Sequence, residues 1–207
     1  MNGPDPWNPS SQERGRLLLR IARESVAEAL GLGASGRYEE PWLREPGACF
    51  VTLRRQGDLR GCVGSVRAYR PLFEDVWSNA RASAFRDTRF HPVEPWEWAE
   101  ISVEVSLLSA PEPLACSCEE EALRLLRPGV DGVILEYQEY RSTFLPQVWE
   151  QLPDPRDFLG HLKAKAGLRR GFWAPEVRLQ RYGVMKWVEE RAETPETPGV
   201  TPPAEPR

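Results

Sequence analysis

Histidine is scarce in this chain of 207 residues, which has only two, His91 and His161. Two histidines are too few for a histidine-rich metal site, although one carboxylate could still join both to hold iron or zinc. His91 and Glu94 have H-x-x-E spacing, but Pro92 and Pro95 keep this stretch out of the helix that would aim both at one metal. We therefore predict neither a metal nor a cofactor.

Cysteine is also limited to four residues, Cys49, Cys62, Cys116 and Cys118. Cys116 and Cys118 form a C-x-C, which lacks the matching second pair of an ordinary zinc site. Four cysteines fit a reducing compartment, where they stay as thiols.

Long apolar runs and an excess of basic residues are both missing. Without about 18 consecutive apolar residues, no transmembrane helix is predicted. The N-terminal "MNGPDPWNPSS" has neither the basic start nor the apolar stretch of a signal peptide, so we expect a cytoplasmic protein without a membrane partner. The net charge of −4 argues against nucleic acid as a partner. The chain also has no P-loop, no G-x-G-x-x-G and no G-x-S-x-G.

Helical and strand periodicities alternate along the chain. They predict helix, hairpin, helix, strand, helix, hairpin, helix and strand in that order. This order indicates an α+β fold with a largely antiparallel sheet and helices covering one face of it. We expect one domain over residues 10–190. Residues 191–207 are rich in Pro, Thr and Glu and have almost nothing to bury, so we expect a disordered tail there.

The first hairpin contains an unusual strand, "DLRGCVGSV" from Asp58 to Val66. Strand period places Arg60, Cys62 and Gly64 on one face. The short turn places Cys62 opposite Leu53 or Thr52, which argues against a disulfide between Cys62 and Cys49.

Two interpretations of this strand remain open. An arginine near a thiol favours the nucleophilic thiolate, and the glycines Gly61 and Gly64 would let a substrate approach the main chain. Alternatively, Cys62 packs as a small apolar residue, and the glycines make room for a neighbouring aromatic ring.

The segment "FRDTRFH" from Phe85 to His91 follows a predicted helix and also allows two interpretations. Arg86, Asp87, Arg89 and His91 could form an anion clamp with a general base. Alternatively, Asp87 pairs with an arginine and ties the loop to the domain. Further along the chain is a basic helix end, which we expect to face solvent; its residues are Lys163, Lys165, Arg169 and Arg170.

Five segments in a constant order resemble the AMMECR domain family, also called AmmeMemoRadiSam system protein A. "LRGCVG" is similar to the family signature L-R-G-C-I-G, and "AFRDTRF" to A-F-R-D-P-R-F. "ISVEVSLLSAPEPL" resembles a family strand ending in S-x-L-x-x-P-E-P, and "FLPQVW" resembles L-L-P-Q-V. "FLGHLKAKAGL" is similar to F-L-x-H-x-C-x-K-A-G-L.

The resemblance implies a larger and a smaller lobe with a cleft between them that the motifs line. The residues carried over to this cleft are Arg60, Gly61, Cys62, Gly64, Phe85, Arg86, Asp87, Arg89, Phe90, Gln147, His161 and Lys165. Thr88 and Lys163 depart from the family pattern, which has proline and often cysteine there. The second departure weakens any mechanism that pairs Cys62 with another thiol.

The resemblance also implies a pathway shared with a Memo-like protein and a radical SAM enzyme. One hypothesis is a small enzyme with Cys62 as nucleophile or redox centre and Arg60 holding an anionic small molecule or protein substrate. Asp87 and His161 would then supply acid–base groups, and Gly61, Gly64, Arg86, Arg89, Phe90, Gln147 and Lys165 would bind. The alternative is a non-catalytic module that presents the same cleft to a partner protein.

Overall fold

The computed structural model of the protein describes residues 9–190, with side chains from residue 11 onward. The expectations for the N-terminal "MNGPDPWN" and for the tail 191–207 lie outside the described residues. The helices are α1 (Pro9–Ala29), α2 (Leu72–Phe85), α3 (Glu119–Leu125) and α4 (Pro155–Lys165), with 3-10 turns at Pro41–Arg44, Pro95–Glu100 and Pro146–Glu150. The strands are β1 (Pro46–Gly47), β2 (Cys49–Arg55), β3 (Asp58–Gly64), β4 (Arg70–Pro71), β5 (Ile101–Leu108), β6 (Glu112–Pro113), β7 (Gly132–Tyr137), β8 (Tyr140–Phe144), β9 (Arg178–Tyr182) and β10 (Val184–Val188).

The first sheet has the strand order β10-β5-β2-β3, and every pair in it is antiparallel. Alternate residues of β2, which are Cys49, Val51 and Leu53, are fully buried against α1 and α2. Because strand side chains alternate between faces, the helices cover one face of this sheet, as the sequence predicts.

The second sheet has the order β6-β9-β7-β8 and is also antiparallel. Val133 and Leu135 of β7 pack against α3 and α4 in a second apolar cluster. Asp154 caps α4, because its side chain accepts hydrogen bonds from the N–H groups of Arg156 and Asp157 at 2.7 and 3.3 Å.

The two sheets meet at a third apolar cluster. Ile134 and Tyr182 of the second sheet pack there with Leu108 and Phe50 of the first. The chain passes from β9 to β10 at Gly183 and so changes sheets. The last element that the sequence predicts, one strand, is therefore wrong, because two strands in different sheets, β9 and β10, stand there. The α+β class and the antiparallel pairing are confirmed.

Lys163 corrects the expectation of a solvent-facing basic helix end. Its side chain is fully buried, and Nζ donates to Oε1 of Glu119 at 2.8 Å. Position 163 lies on the core side of α4, one turn after the buried Leu159 and next to the buried Leu162, so helical periodicity carries the lysine inward. Among the described helices, none combines the length and apolar character that crossing a bilayer requires.

Candidate functional site

The two glycines of β3 face groups that belong to the protein itself. A Cβ atom added to Gly61 would lie 2.1 Å from the carbonyl oxygen of Ser83 in α2. One added to Gly64 would lie 2.3 Å from the Phe50 ring and 2.7 Å from the Cys49 carbonyl oxygen. The glycines therefore allow a helix backbone and an aromatic ring to approach the strand.

A β-bulge interrupts β3 at Arg60. Leu53 lies opposite Gly61, but Arg54 lies opposite Leu59, so Arg60 is the extra residue of the bulge. A bulge breaks strict alternation. The prediction that Arg60 and Cys62 share a face by strand period is therefore wrong.

Arg60 is instead held by a buried carboxylate that the sequence analysis missed. Its Nη2 and Nε donate to Glu97 at 2.6 and 3.0 Å, and Nη1 donates to the His91 carbonyl oxygen at 2.8 Å. These bonds from Arg60 hold the pKa of the Glu97 carboxyl below its ordinary value, although burial opposes them. Glu97 is 37 residues away in the chain, and no local motif joins it to Arg60.

The groups around Cys62 come from β2 and from the loop after α2. Thr52 Oγ1 donates to Cys62 Sγ at 3.3 Å, and the Cys62 N–H donates to Asp87 Oδ2 at 2.8 Å. Arg89 Nη2 reaches the Cys62 carbonyl oxygen at 3.4 Å. The arginine in contact with Cys62 is thus Arg89, whereas Arg60 is bound to Glu97.

Asp87 and Arg89 form a close pair beside Cys62. Arg89 donates to the two carboxylate oxygens of Asp87 at 2.9 and 2.7 Å. These bonds, together with the Cys62 N–H, hold the pKa of Asp87 well below its ordinary value. The pair ties the loop to β3, in agreement with the second interpretation of "FRDTRFH".

The same loop borders an open groove of about 630 Å³. The walls include Phe90 and Trp96, with the guanidinium of Arg55 lying 4.8 Å from the Trp96 ring centre. Arg86 is exposed beside the loop, and none of the described carboxylates pairs with it. The groove itself combines accessible aromatic surface with paired charges, because Glu94 and Glu97 also line it and Arg55, Arg60 and Arg89 each bond to a carboxylate.

The remaining predicted site residues, which follow the first sheet in the chain, lie on α4 and in the turn after β8. His161 Nδ1 donates to the Asp157 carbonyl oxygen at 2.8 Å, because that oxygen can only accept. Its Nε2 accepts from Arg170 at 2.9 Å. Lys165 Nζ donates to the Thr143 carbonyl oxygen at 3.0 Å.

Gln147 lies exposed in the 3-10 turn after β8. Across residues 9–190, no group of three or more His, Cys, Asp or Glu residues could hold a metal ion. All four cysteines are free thiols, and burial raises the pKa of Cys49 and of Cys116.

A sequence model of the family described as AMMECR1 matches residues 19–187. The chain belongs to the AMMECR1 family. A protein of Methanothermobacter thermautotrophicus is 38% identical over 181 residues, which cover 85% of this chain and 94% of that protein. A protein of Saccharolobus solfataricus is 36% identical over 181 residues, covering 83% of this chain and 80% of the relative. The crystal structure of an uncharacterised Pyrococcus horikoshii protein matches with a TM-score of 0.73 at 34% identity, covering 86% of this chain and 92% of that one.

The residues that the family resemblance picks out form two groups on either side of the third apolar cluster. Cys62, Asp87 and Arg89 are bonded to one another, as described above. Lys165 lies near the other sheet at β8. Phe50 links the two sides, because it covers Gly64 and packs in the cluster with Leu145, two residues before Gln147. Among the contacts of the described residues, none joins Cys62 to His161.

Proposed function

We propose that this AMMECR1-family protein is a binding module that presents the groove beside Trp96 and Phe90 to a partner protein. The observation that carries the proposal is that the candidate catalytic groups are already hydrogen-bonded to other groups of the protein. Arg60 is held by Glu97, and Asp87 by Arg89 and the Cys62 N–H. His161 is held by the Asp157 carbonyl oxygen and by Arg170. A general acid or base needs an accessible position for the proton it moves, and these groups are already bonded.

The same hydrogen bonds hold the residues that line the groove in a fixed conformation. Arg60 ties the His91 carbonyl oxygen to β3, and Asp87 ties the start of the loop to Cys62. A surface held in its binding conformation loses less entropy when a partner binds. Trp96 is 62% exposed, and exposed tryptophan beside arginine is typical of the residues that dominate binding energy.

The partners that we propose are the Memo-like protein and the radical SAM enzyme of the pathway that the family resemblance implies. The support is the resemblance itself, together with a groove suited to a protein surface. Binding of an anionic small molecule in the same place, and the cytoplasmic location, stay predictions from the sequence.

The enzyme hypothesis keeps one specific observation in its favour. Arg89, rather than Arg60, brings a guanidinium to the Cys62 residue, and Thr52 donates a hydrogen bond to its sulfur. A nearby positive charge favours thiolate. In this alternative, Cys62 is the nucleophile and Arg89 takes the role that the sequence assigns to Arg60.

Calorimetric titration of the full chain with a Memo-like protein tests the binding proposal. Trp96→Ala is expected to weaken binding at least about tenfold, the size typical of a central aromatic anchor. Tyr69→Ala is the matched control, because Tyr69 is 68% exposed and also carries an arginine over its ring, Arg70 at 4.9 Å. Equal weakening by the two variants would contradict binding at the groove. No binding by the unmodified chain would contradict the Memo-like protein as a partner.

Iodoacetamide labelling with peptide mapping separates the module from the enzyme. The binding module predicts that Cys62 reacts no faster than Cys118 and that Arg89→Ala leaves its rate unchanged. Faster labelling of Cys62, lost in Arg89→Ala but kept in the control Arg86→Ala, would support the enzyme instead.

A further inference from the structure

Within residues 9–190, strand β10 lies at an edge of the first sheet and pairs with β5 alone. The Glu189 N–H donates to the Val103 carbonyl oxygen at 3.0 Å, and the Ser109 N–H donates to the Gly183 carbonyl oxygen at 2.9 Å. Since hydrogen-bonded pairs alternate along an antiparallel ladder, the odd-numbered residues of β10 direct their backbone groups to β5. The even-numbered residues direct their N–H and C=O groups outward; they are Val184, Lys186 and Val188.

A groove of about 700 Å³ borders this edge and α1. Its lining includes the apolar side chains of Leu19, Met185 and Trp187, together with charged side chains of both signs. Trp187 packs on α1 so closely that a Cβ added to Gly15 would lie 2.2 Å from its ring. A strand beside β10 would therefore pair with the outward backbone groups and place alternate side chains in the groove.

Both segments outside the described residues are joined to the chain at this groove. Ser11 and Gln12, near the start of α1, line it, as does Glu190 at the other end of the described chain. Residues 1–8 and residues 191–207 are therefore the segments that connectivity brings nearest to the groove, and their prolines distinguish them.

Proline limits where a segment can add to a strand edge, because pairing needs an N–H group at every second residue and proline has none. A tail that turned back along β10 would meet Pro195 and Pro198, one at an odd and one at an even position, so each side of it would lack a donor. Residues 1–8 carry prolines at positions 4 and 6 only, which are both even. Their odd positions keep N–H groups on one side; these include Gly3, Asp5 and Trp7.

The direction of α1 decides the direction of such a strand. Near the start of α1, Ser11 Oγ donates to Met185 Sδ at 3.8 Å. Further along both elements, Arg23 pairs with Glu189. Because α1 thus runs in the same direction as β10, a segment that enters α1 along this edge runs opposite to β10. Eight extended residues reach about 26 Å, whereas the five residues of β10 span about 17 Å.

We propose that residues 1–8 form a strand antiparallel to β10 and close this edge of the first sheet before the chain enters α1. Asp5 would then lie on the face of the oppositely charged Lys186. The prolines would point to the other face, where Leu19 and Trp187 line the groove, and proline rings lose no rotamer entropy on burial. The edge lies across the sheet from β3, so the proposal is independent of the binding groove.

Hydrogen exchange of single amides in the full chain tests the proposal. The amides of Lys186 and Val188, which face outward, are expected to exchange within about tenfold of the inward-facing Trp187 amide. Deletion of residues 2–8 is expected to accelerate both at least about tenfold relative to Trp187. Exchange of the outward amides more than about tenfold faster than that of Trp187 in the unmodified chain would overturn the proposal. Slow exchange that only deletion of residues 191–207 accelerates would overturn it as well.

Two proline variants test the pairing itself. Asp5→Pro removes an N–H group that faces β10, so it is expected to accelerate the outward amides at least about tenfold relative to Trp187. Asn2→Pro is the matched control, because its N–H group faces away from β10, and it is expected to leave these amides unchanged. Equal effects of the two variants would overturn the proposal. The Trp187 amide in the same sample shows whether β10 remains paired with β5, so the comparison does not depend on the global stability of a variant.

Discussion

Substitution of Gly61 by alanine is the sharpest test of the packing between β3 and α2. The new Cβ atom would lie 2.1 Å from the Ser83 carbonyl oxygen, whereas ordinary van der Waals contact begins at 3.4 Å. The difference between 3.4 and 2.1 is 1.3 Å, so strand and helix must separate by about that distance. The opposing atom is helix backbone, which cannot rotate away as a side chain would.

The Ser83 side chain resists such a separation. Its Oγ donates to the Val51 carbonyl oxygen at 2.7 Å and accepts from the Val63 N–H at 2.9 Å, so it bridges both strands of the hairpin. Overpacking a core costs about 1–3 kcal/mol, and a strained or lost hydrogen bond adds about 1 kcal/mol. Alanine offsets about 0.5–1 kcal/mol of this through its smaller unfolded-state entropy. We therefore expect Gly61→Ala to lower the free energy of unfolding by about 1–3.5 kcal/mol.

Urea unfolding of the full chain measures this change, with the slope of the transition checked for two-state behaviour. Gly33→Ala is the control, because a Cβ at Gly33 meets nothing within 4 Å. Gly64→Ala should fall between the two, since the Phe50 ring can turn but the Cys49 carbonyl oxygen at 2.7 Å cannot. A Gly61→Ala protein within about 0.5 kcal/mol of the unmodified one would refute the reasoning.

Three further predictions concern burial, charge and the tail. Glu119→Gln should destabilise the fold by about 3 kcal/mol and more than Lys163→Met, because the lysine is fully buried while the glutamate side chain is 22% exposed; equal losses in urea unfolding would contradict this. The lowered pKa of Asp87 stabilises the fold above the unfolded value of about 3.9, and this contribution is lost as the pH falls through the folded pKa. The free energy of unfolding of Asp87→Asn should therefore fall less on acidification than that of the unmodified protein. The same dependence on pH in the two proteins would count against this prediction. Deletion of residues 191–207 should change the melting temperature by less than about 5 °C, since the segment has little to bury; a larger drop would mean that it packs on the body.

The sequence by itself determined the elements whose signals are local. The hairpin turn at Gln56–Gly57 is marked by Gly57, because glycine adopts a positive φ, here 89°, without steric cost. The helix at Asp154 follows from an N-cap and a proline at the first position. The motifs "LRGCVG" and "FRDTRF" also marked residues that lie together, because a family resemblance carries information about tertiary contacts that periodicity does not.

Only the tertiary structure decided which groups those residues meet. Strand period could not locate the bulge that turns Arg60 toward Glu97, because a bulge is defined by the partner strand. A basic run on a helix did not reveal that Lys163 is buried against Glu119, 44 residues away. The structure has two four-stranded sheets where the sequence predicts one. The strands on either side of Gly183 pair with different distant strands, β9 with β7 and β10 with β5. Local sequence governs backbone conformation, whereas long-range pairing depends on which distant surfaces can be buried together.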